Sequence, residues 1–76
     1  MDQPTLLDET INVERKIFHL ELKENPRGRF LRITEDVRGR RDTIIVPSTG
    51  LRELRDALNR AIEHEESLQP LETADS

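Results

Sequence analysis

The middle of the chain alternates. From Ile17 to Lys23, Phe18, Leu20 and Leu22 point one way, and Ile17, His19, Glu21 and Lys23 the other. A period of two with one apolar side is the pattern of a half-buried strand. Asn25-Pro26-Arg27-Gly28 then supplies turn chemistry. Asn suits the first place of a type I turn, Pro the second, and Gly the fourth. Gly28 is also free to take the left-handed conformation of a bulge. From Arg29 to Glu35 the alternation resumes, with Leu31 and Ile33 on one face and Phe30, Arg32 and Thr34 on the other. The stretch predicts a β-hairpin.

The flanking segments complete a small domain. Thr10 to Glu14 predicts a short first strand, and residues 1–8 a flexible tail. Asp36 to Asp42 is a polar, glycine-containing connection suited to a second hairpin, and Thr43 to Val46 predicts a buried fourth strand that Pro47 ends. Ser48 or Thr49 is placed to cap a helix. Leu51, Leu54, Leu58, Ala61 and Ile62 then make one apolar stripe, the pattern of a helix lying on a sheet. The fold class is α+β: a four-stranded antiparallel sheet plus one C-terminal helix, ββββα. It forms a single unit over residues 9–68, with a second flexible tail at 69–76. One helix covers one sheet face, so Ile17 and Phe30 on the other face need a cover of their own. Leaving such a side chain wet forgoes roughly 1.5–3 kcal/mol.

Length sharpens that need. The 76 residues make at most one domain, and a chain this small buries only roughly 60% of its unfolded surface. There is no cysteine, which removes disulfides and thiolate zinc sites. His19 and His64 have no metal-ligand spacing around them. A homodimer is the simplest remaining source of stability. No apolar run approaches the ~20 residues of a membrane span. The first ten residues do not resemble a signal peptide. The expectation is therefore a cytoplasmic protein without a membrane partner, compatible with association with the nucleoid.

Catalytic chemistry finds no support. His64-Glu65 begins like a zincin motif, but Leu68 stands where the second histidine belongs. Gly28, Gly39 and Gly50 are isolated, and Ser48-Thr49 has no nearby base to activate a nucleophile. The expectation is no enzyme, no cofactor, no metal and no small-molecule substrate.

Charge distribution points elsewhere. The formal net charge is −4, yet between Arg27 and Arg41 six arginines stand against two acids, leaving +4, while other acids gather near both ends. Nucleic-acid binding of this kind needs cations to follow phosphates and flat faces for bases. Arg15, Lys16, Lys23, Arg27, Arg29 and Arg32 are the candidate cations; Phe30 is either the stacking ring, with His19 a weaker helper, or part of the core or dimer interface. Phe18 shares its face with Leu20 and Leu22 and is assigned to the core. Two functions compete: a dimeric nucleic-acid binder, and a dimeric protein-interaction module with little nucleic-acid affinity. Glu14 and the acidic total favour the second.

The string KIFHLELKENPRGRFLRITE resembles the repeat of the Pur-alpha family, the purine-rich-element binding proteins. Lys16, Phe18, Leu20, Lys23, Asn25, Gly28, Arg29, Phe30, Leu31, Ile33 and Glu35 stand at matching places. In the helix, Leu54-Arg55-Asp56 resembles the family's F-R-D triplet. The chain departs from the pattern at Glu14-Arg15-Lys16, where Q-N-K is usual, at His19, where an aromatic is usual, and at Ile17, where a base is usual. The resemblance implies a whirly-like PUR repeat, in which two ββββα units intertwine. For a chain with one repeat, as in the short bacterial form, that means an intertwined homodimer. It further implies binding of single-stranded DNA and RNA with a purine-rich preference, and a role in gene regulation.

Overall fold

A computed structural model describes residues 3–68 and residue 70. Four strands form one antiparallel meander in the order β1-β2-β3-β4. They are β1 (Thr5–Val13), β2 (Lys16–Asn25), β3 (Gly28–Val37) and β4 (Arg40–Pro47). A 3-10 turn, Ser48–Gly50, leads into helix α1, Leu51–Ser67. The ββββα order and the antiparallel sheet are those expected from the alternation.

Strand boundaries differ from expectation at the edges. β1 begins at Thr5, so the part of the expected 1–8 tail from Thr5 to Asp8 is strand. Pairing with the neighbouring strand decides this: Leu7 faces Leu22 and Asp8 faces Glu21, with a register irregularity between Thr5 and Leu7. The backbone N–H of Glu24 also donates to the carbonyl of Pro4 at 3.2 Å. Residues 1, 2, 69 and 71–76 of the two expected tails lie outside the described residues.

Each hairpin turns in two residues. Pro26-Arg27 links β2 to β3, with Asn25 paired to Gly28 and no bulge between the strands. Asn25 Oδ1 accepts the backbone N–H groups of Arg27 (2.9 Å) and Gly28 (3.1 Å), holding the tip closed. Gly28 has φ of 141°, a region that side-chain-bearing residues rarely enter. The expected polar connection from Asp36 to Asp42 shrinks to Arg38-Gly39, because the strands keep pairing out to Val37 and Arg40. Asp36 anchors this turn: Oδ1 accepts from the N–H of Gly39 at 3.0 Å, and Oδ2 pairs with Arg41 Nε at 3.2 Å.

Register separates two faces. Leu7 and Ile11, then Phe18, Leu20 and Leu22, then Leu31 and Ile33, then Ile44 and Val46 line up across the sheet as an aliphatic face. The opposite, mixed face carries Thr10, His19, Thr34 and Thr43 in one row. Asp8, Glu21, Arg32 and Ile45 make the next, and Lys23, Phe30 and Pro47 the one beyond. Thr34 is the one buried residue among those described, sharing a 3.2 Å hydrogen bond with Thr43.

The expected helix-on-sheet packing does not occur within one copy. No residue of α1 is buried, and the helix makes its main contacts with the 3-10 turn before it. The fourth strand, expected buried, leaves Ile44 and Ile45 exposed on opposite faces. Neither Ser48 nor Thr49 caps the helix; Gly50 holds that place without a side-chain hydrogen bond. The helix leaves the sheet instead of folding back, and the protomer measures 50 × 29 × 16 Å. Its radius of gyration, 15.3 Å, exceeds the roughly 11 Å of a compact domain of this length. Among the described residues no apolar side chain is fully buried. The apolar stripe of α1 and the aliphatic face both lie open.

Candidate nucleic-acid interface

Alternation along β2 and β3 decides which candidates share a surface. Lys23, Phe30 and Arg32 fall on the mixed face near the β2–β3 tip: Phe30 faces Lys23 on one side and Pro47 on the other. Pro47 belongs there because its missing N–H costs nothing at the end of an edge strand. An open cleft of 580 Å³ lies at this tip. Phe30, Ile45 and Pro47 give it apolar walls, and Asn25, Arg27, Arg29 and Arg32 a polar rim, with Gln3 and Gly28 completing the lining. Half-buried Phe30 therefore offers a ring flanked by a flat proline and surrounded by guanidinium groups.

The cations differ in how free they are. Arg32 Nε lies 3.6 Å from Glu21, its cross-strand partner, and Arg29 Nε lies 3.2 Å from Glu24. Lys23 Nζ donates to Thr5 Oγ1 at 2.7 Å. Arg27, at the apex of the turn, has no acid within ion-pair distance among the described residues. Its exposed guanidinium is open to a phosphate.

Two expected members stand apart. Arg15 lies in the β1–β2 turn and Lys16 at the start of β2, at the other end of the sheet. Seven residues of strand separate Lys16 from Lys23, about 23 Å. Lys16 also faces the aliphatic side, where its Nζ pairs with Glu35 at 2.9 Å. His19 occupies the centre of the mixed face, away from Phe30, and shares a 3.4 Å hydrogen bond with Thr10. It borders a second, polar depression of 270 Å³ rather than the aromatic cleft. Phe18 sits on the aliphatic face, as its alternation implies, but half-buried rather than in the core to which it was assigned.

Sequence reasoning passed over Ile45 and Pro47, which complete the apolar walls. Both were read only as strand and strand end, since nothing in the one-dimensional pattern places β4 beside Phe30. Asn25 was read as a turn residue. It is one, but with its oxygen committed to the turn its amide NH₂ remains a donor at the cleft.

Comparison with known proteins settles the lineage. The PurA family of ssDNA and RNA-binding proteins matches residues 1–73. The chain belongs to the PurA family. It is 48% identical over 61 residues to Transcription factor Pur-alpha 1 of Arabidopsis thaliana, covering 80% of this chain and 21% of that protein. It is 45% identical over 53 residues to Transcriptional activator plp-1 of Caenorhabditis elegans, covering 66% and 24%. It is 42% identical over 71 residues to Transcriptional activator protein Pur-alpha of Homo sapiens, covering 82% and 22%. The chain thus spans under a quarter of the length of these PurA-family relatives.

Proposed function

We propose that the chain is a homodimeric binder of single-stranded DNA or RNA, with a preference for purine-rich sequence and a role in gene regulation. The observation that carries the reading is the tip cleft, where the Phe30 ring lies against Pro47 within a rim of Arg27, Arg29 and Arg32. A base stacked on such a ring contributes ~1–3 kcal/mol whatever its identity, and the arginines follow the phosphates beside it. The family's description and its named transcriptional relatives support the same reading.

The dimer follows from the open protomer. An apolar helix stripe and an apolar sheet face that do not meet in one copy are complementary between two. Helix α1 of each protomer covers the aliphatic face of its partner, and the mixed faces stay outward.

Fluorescence anisotropy with a labelled purine-rich oligonucleotide across a salt series tests the reading. Phosphate neutralisation requires log K to fall linearly as log salt rises. Phe30→Ala should weaken binding by roughly 5- to 150-fold, the equivalent of ~1–3 kcal/mol, with the salt slope unchanged. Absence of binding at about 50 mM salt would leave the second reading, a dimeric protein-interaction module. The pairing of Lys16, Arg29 and Arg32 with carboxylates is the observation that favours this alternative.

A further inference from the structure

The mixed face carries acids as well as bases. Asp8 stands directly opposite Glu21 across β1 and β2, and like charges facing one another across a strand pair cost stability. Glu21 has Arg32 beside it at 3.6 Å. The Asp8 carboxylate makes no ion pair and no side-chain hydrogen bond among the described residues. On a face turned toward a polyanion, such a charge also repels phosphate. A charge on an edge strand guards against unwanted strand pairing, and that role needs no particular neighbours. Asp8 has particular ones.

It lines the polar depression of 270 Å³ together with Thr10, His19, Glu21 and Arg32. Arg32 also lines the aromatic cleft, so the two hollows adjoin. The row of Lys23 and Phe30 and the row of Asp8, Glu21 and Arg32 are successive, about 7 Å apart along the strands. Apolar walls suit the cleft to the flat face of a base, and hydrogen-bonding groups suit the depression to a base edge. Thr10 and His19 share a hydrogen bond of their own at 3.4 Å, which leaves the Asp8 carboxylate as the open acceptor. An ionised carboxylate only accepts, through two oxygens side by side. Among the bases, guanine offers two adjacent donors on its Watson–Crick edge, the ring N1–H and the N2 amino group. Adenine and cytosine set a donor beside an acceptor there. Unpaired bases are read on these edges.

We propose that Asp8 selects guanine in the strand held at the tip. One base stacks on Phe30, Arg32 meets the phosphate beside it, and the adjoining base enters the depression with its two donors on the Asp8 carboxylate. This rests on the single-strand reading above and names the side chain that sets its base preference. Hydrogen bonds to an ionised acceptor are the strong kind, and here they offset the repulsion between Asp8 and the phosphates. A base without the paired donors leaves that repulsion standing. The same side chain therefore favours guanine and disfavours its competitors.

The test compares the full-length chain with its Asp8→Asn variant on three labelled strands of about 12 nucleotides, within the range of known single-strand site sizes. At the same isolated positions the strands carry guanine, inosine or adenine; inosine is guanine without the N2 amino group. The wild-type chain should prefer guanine to inosine by on the order of tenfold, and bind adenine more weakly still. Asn keeps the size of the side chain but replaces one acceptor oxygen with a donor. In the variant the preference for guanine over inosine should fall below about threefold, while the adenine strand binds as well as before or better, one negative charge having gone. Equal wild-type affinities for guanine and inosine would overturn the assignment and leave the tip in place. So would a variant that gains on all three strands alike, which makes Asp8 a solvated edge charge, or one that loses on all three alike, which makes it structural. If the wild-type chain bound none of the strands, the single-strand reading would fail and this one with it.

Discussion

At the scale of single residues, the mixed face sets a carboxylate beside the guanidinium that the proposed function assigns to a phosphate, Glu21 beside Arg32. Arg32 was legible as a candidate cation from its place in a basic hairpin. Its restraint by Glu21 was not, because the pair exists only in the register that sets Arg32 opposite Glu21. The contact is 3.6 Å long and both side chains are partly exposed, so it contributes little to stability. Its effect on binding is larger, since a phosphate approaching Arg32 also meets the Glu21 charge. Glu21→Gln should therefore tighten single-strand binding by a few-fold and steepen the salt slope by up to ~0.7. Its unfolding midpoint should stay within about 0.5 kcal/mol of wild type. Anisotropy titrations at three or more salt concentrations measure both quantities; weaker binding would mean that Glu21 positions Arg32 instead of restraining it. Gly28 shows the converse case. Its need for glycine was readable from the turn, although the structure uses it at φ 141° without the expected bulge, and a Cβ there would meet no atom within 4 Å. The constraint is in the backbone alone.

At the scale of elements, legibility followed periodicity. β2 and β3 alternate cleanly and were placed with their faces correct. β1 was cut short because Leu6-Leu7 interrupts the period of two; the pairing with β2 that extends it is a property of two strands, not of one. β4 was expected to be buried because Thr43 to Val46 is apolar and β-branched, yet it is an edge strand. Composition reports that a segment wants cover without saying what supplies it. Helix α1 makes the same point. Its stripe of Leu51, Leu54, Leu58 and Ile62 was read as packing on the sheet, but in the protomer no residue of the helix is buried and the stripe lies open. Leu58 is 55% exposed and Ile62 is 52% exposed in the protomer. Leu58→Ala separates the two arrangements. It keeps a strong helix former, so a protomer that functions alone should lose little. In a dimer each helix forfeits roughly 2 kcal/mol of burial, and the two together raise the dissociation constant about a thousandfold. Analytical ultracentrifugation across a dilution series reads this directly, and an unaltered association constant would rule the helix out of the interface.

At the scale of the whole molecule, the decisive quantity is where the missing core resides. Folding fixes each backbone residue at a cost of roughly 1–2 kcal/mol, and apolar burial is the main term that offsets it. Among the described residues a single copy buries no apolar side chain fully and has only Thr34 in the buried class. Such a protomer has too little to set against its own entropy, so folding and association should be one event. Stability then depends on concentration by mass action: the unfolding midpoint rises with total protein, and dilution alone unfolds the chain. Thermal unfolding followed by circular dichroism from about 1 to 100 μM should show a steady rise in midpoint. Disappearance of the strand signal should coincide with loss of the species at twice the 8.9 kDa chain mass. The same coupling ties stability to function, because an oligonucleotide that binds only the dimer must raise the midpoint further at fixed protein concentration. A midpoint independent of concentration would mean that the aliphatic face is covered within one chain. The proposed dimer, which would set two Phe30 clefts on one molecule, would then have no basis.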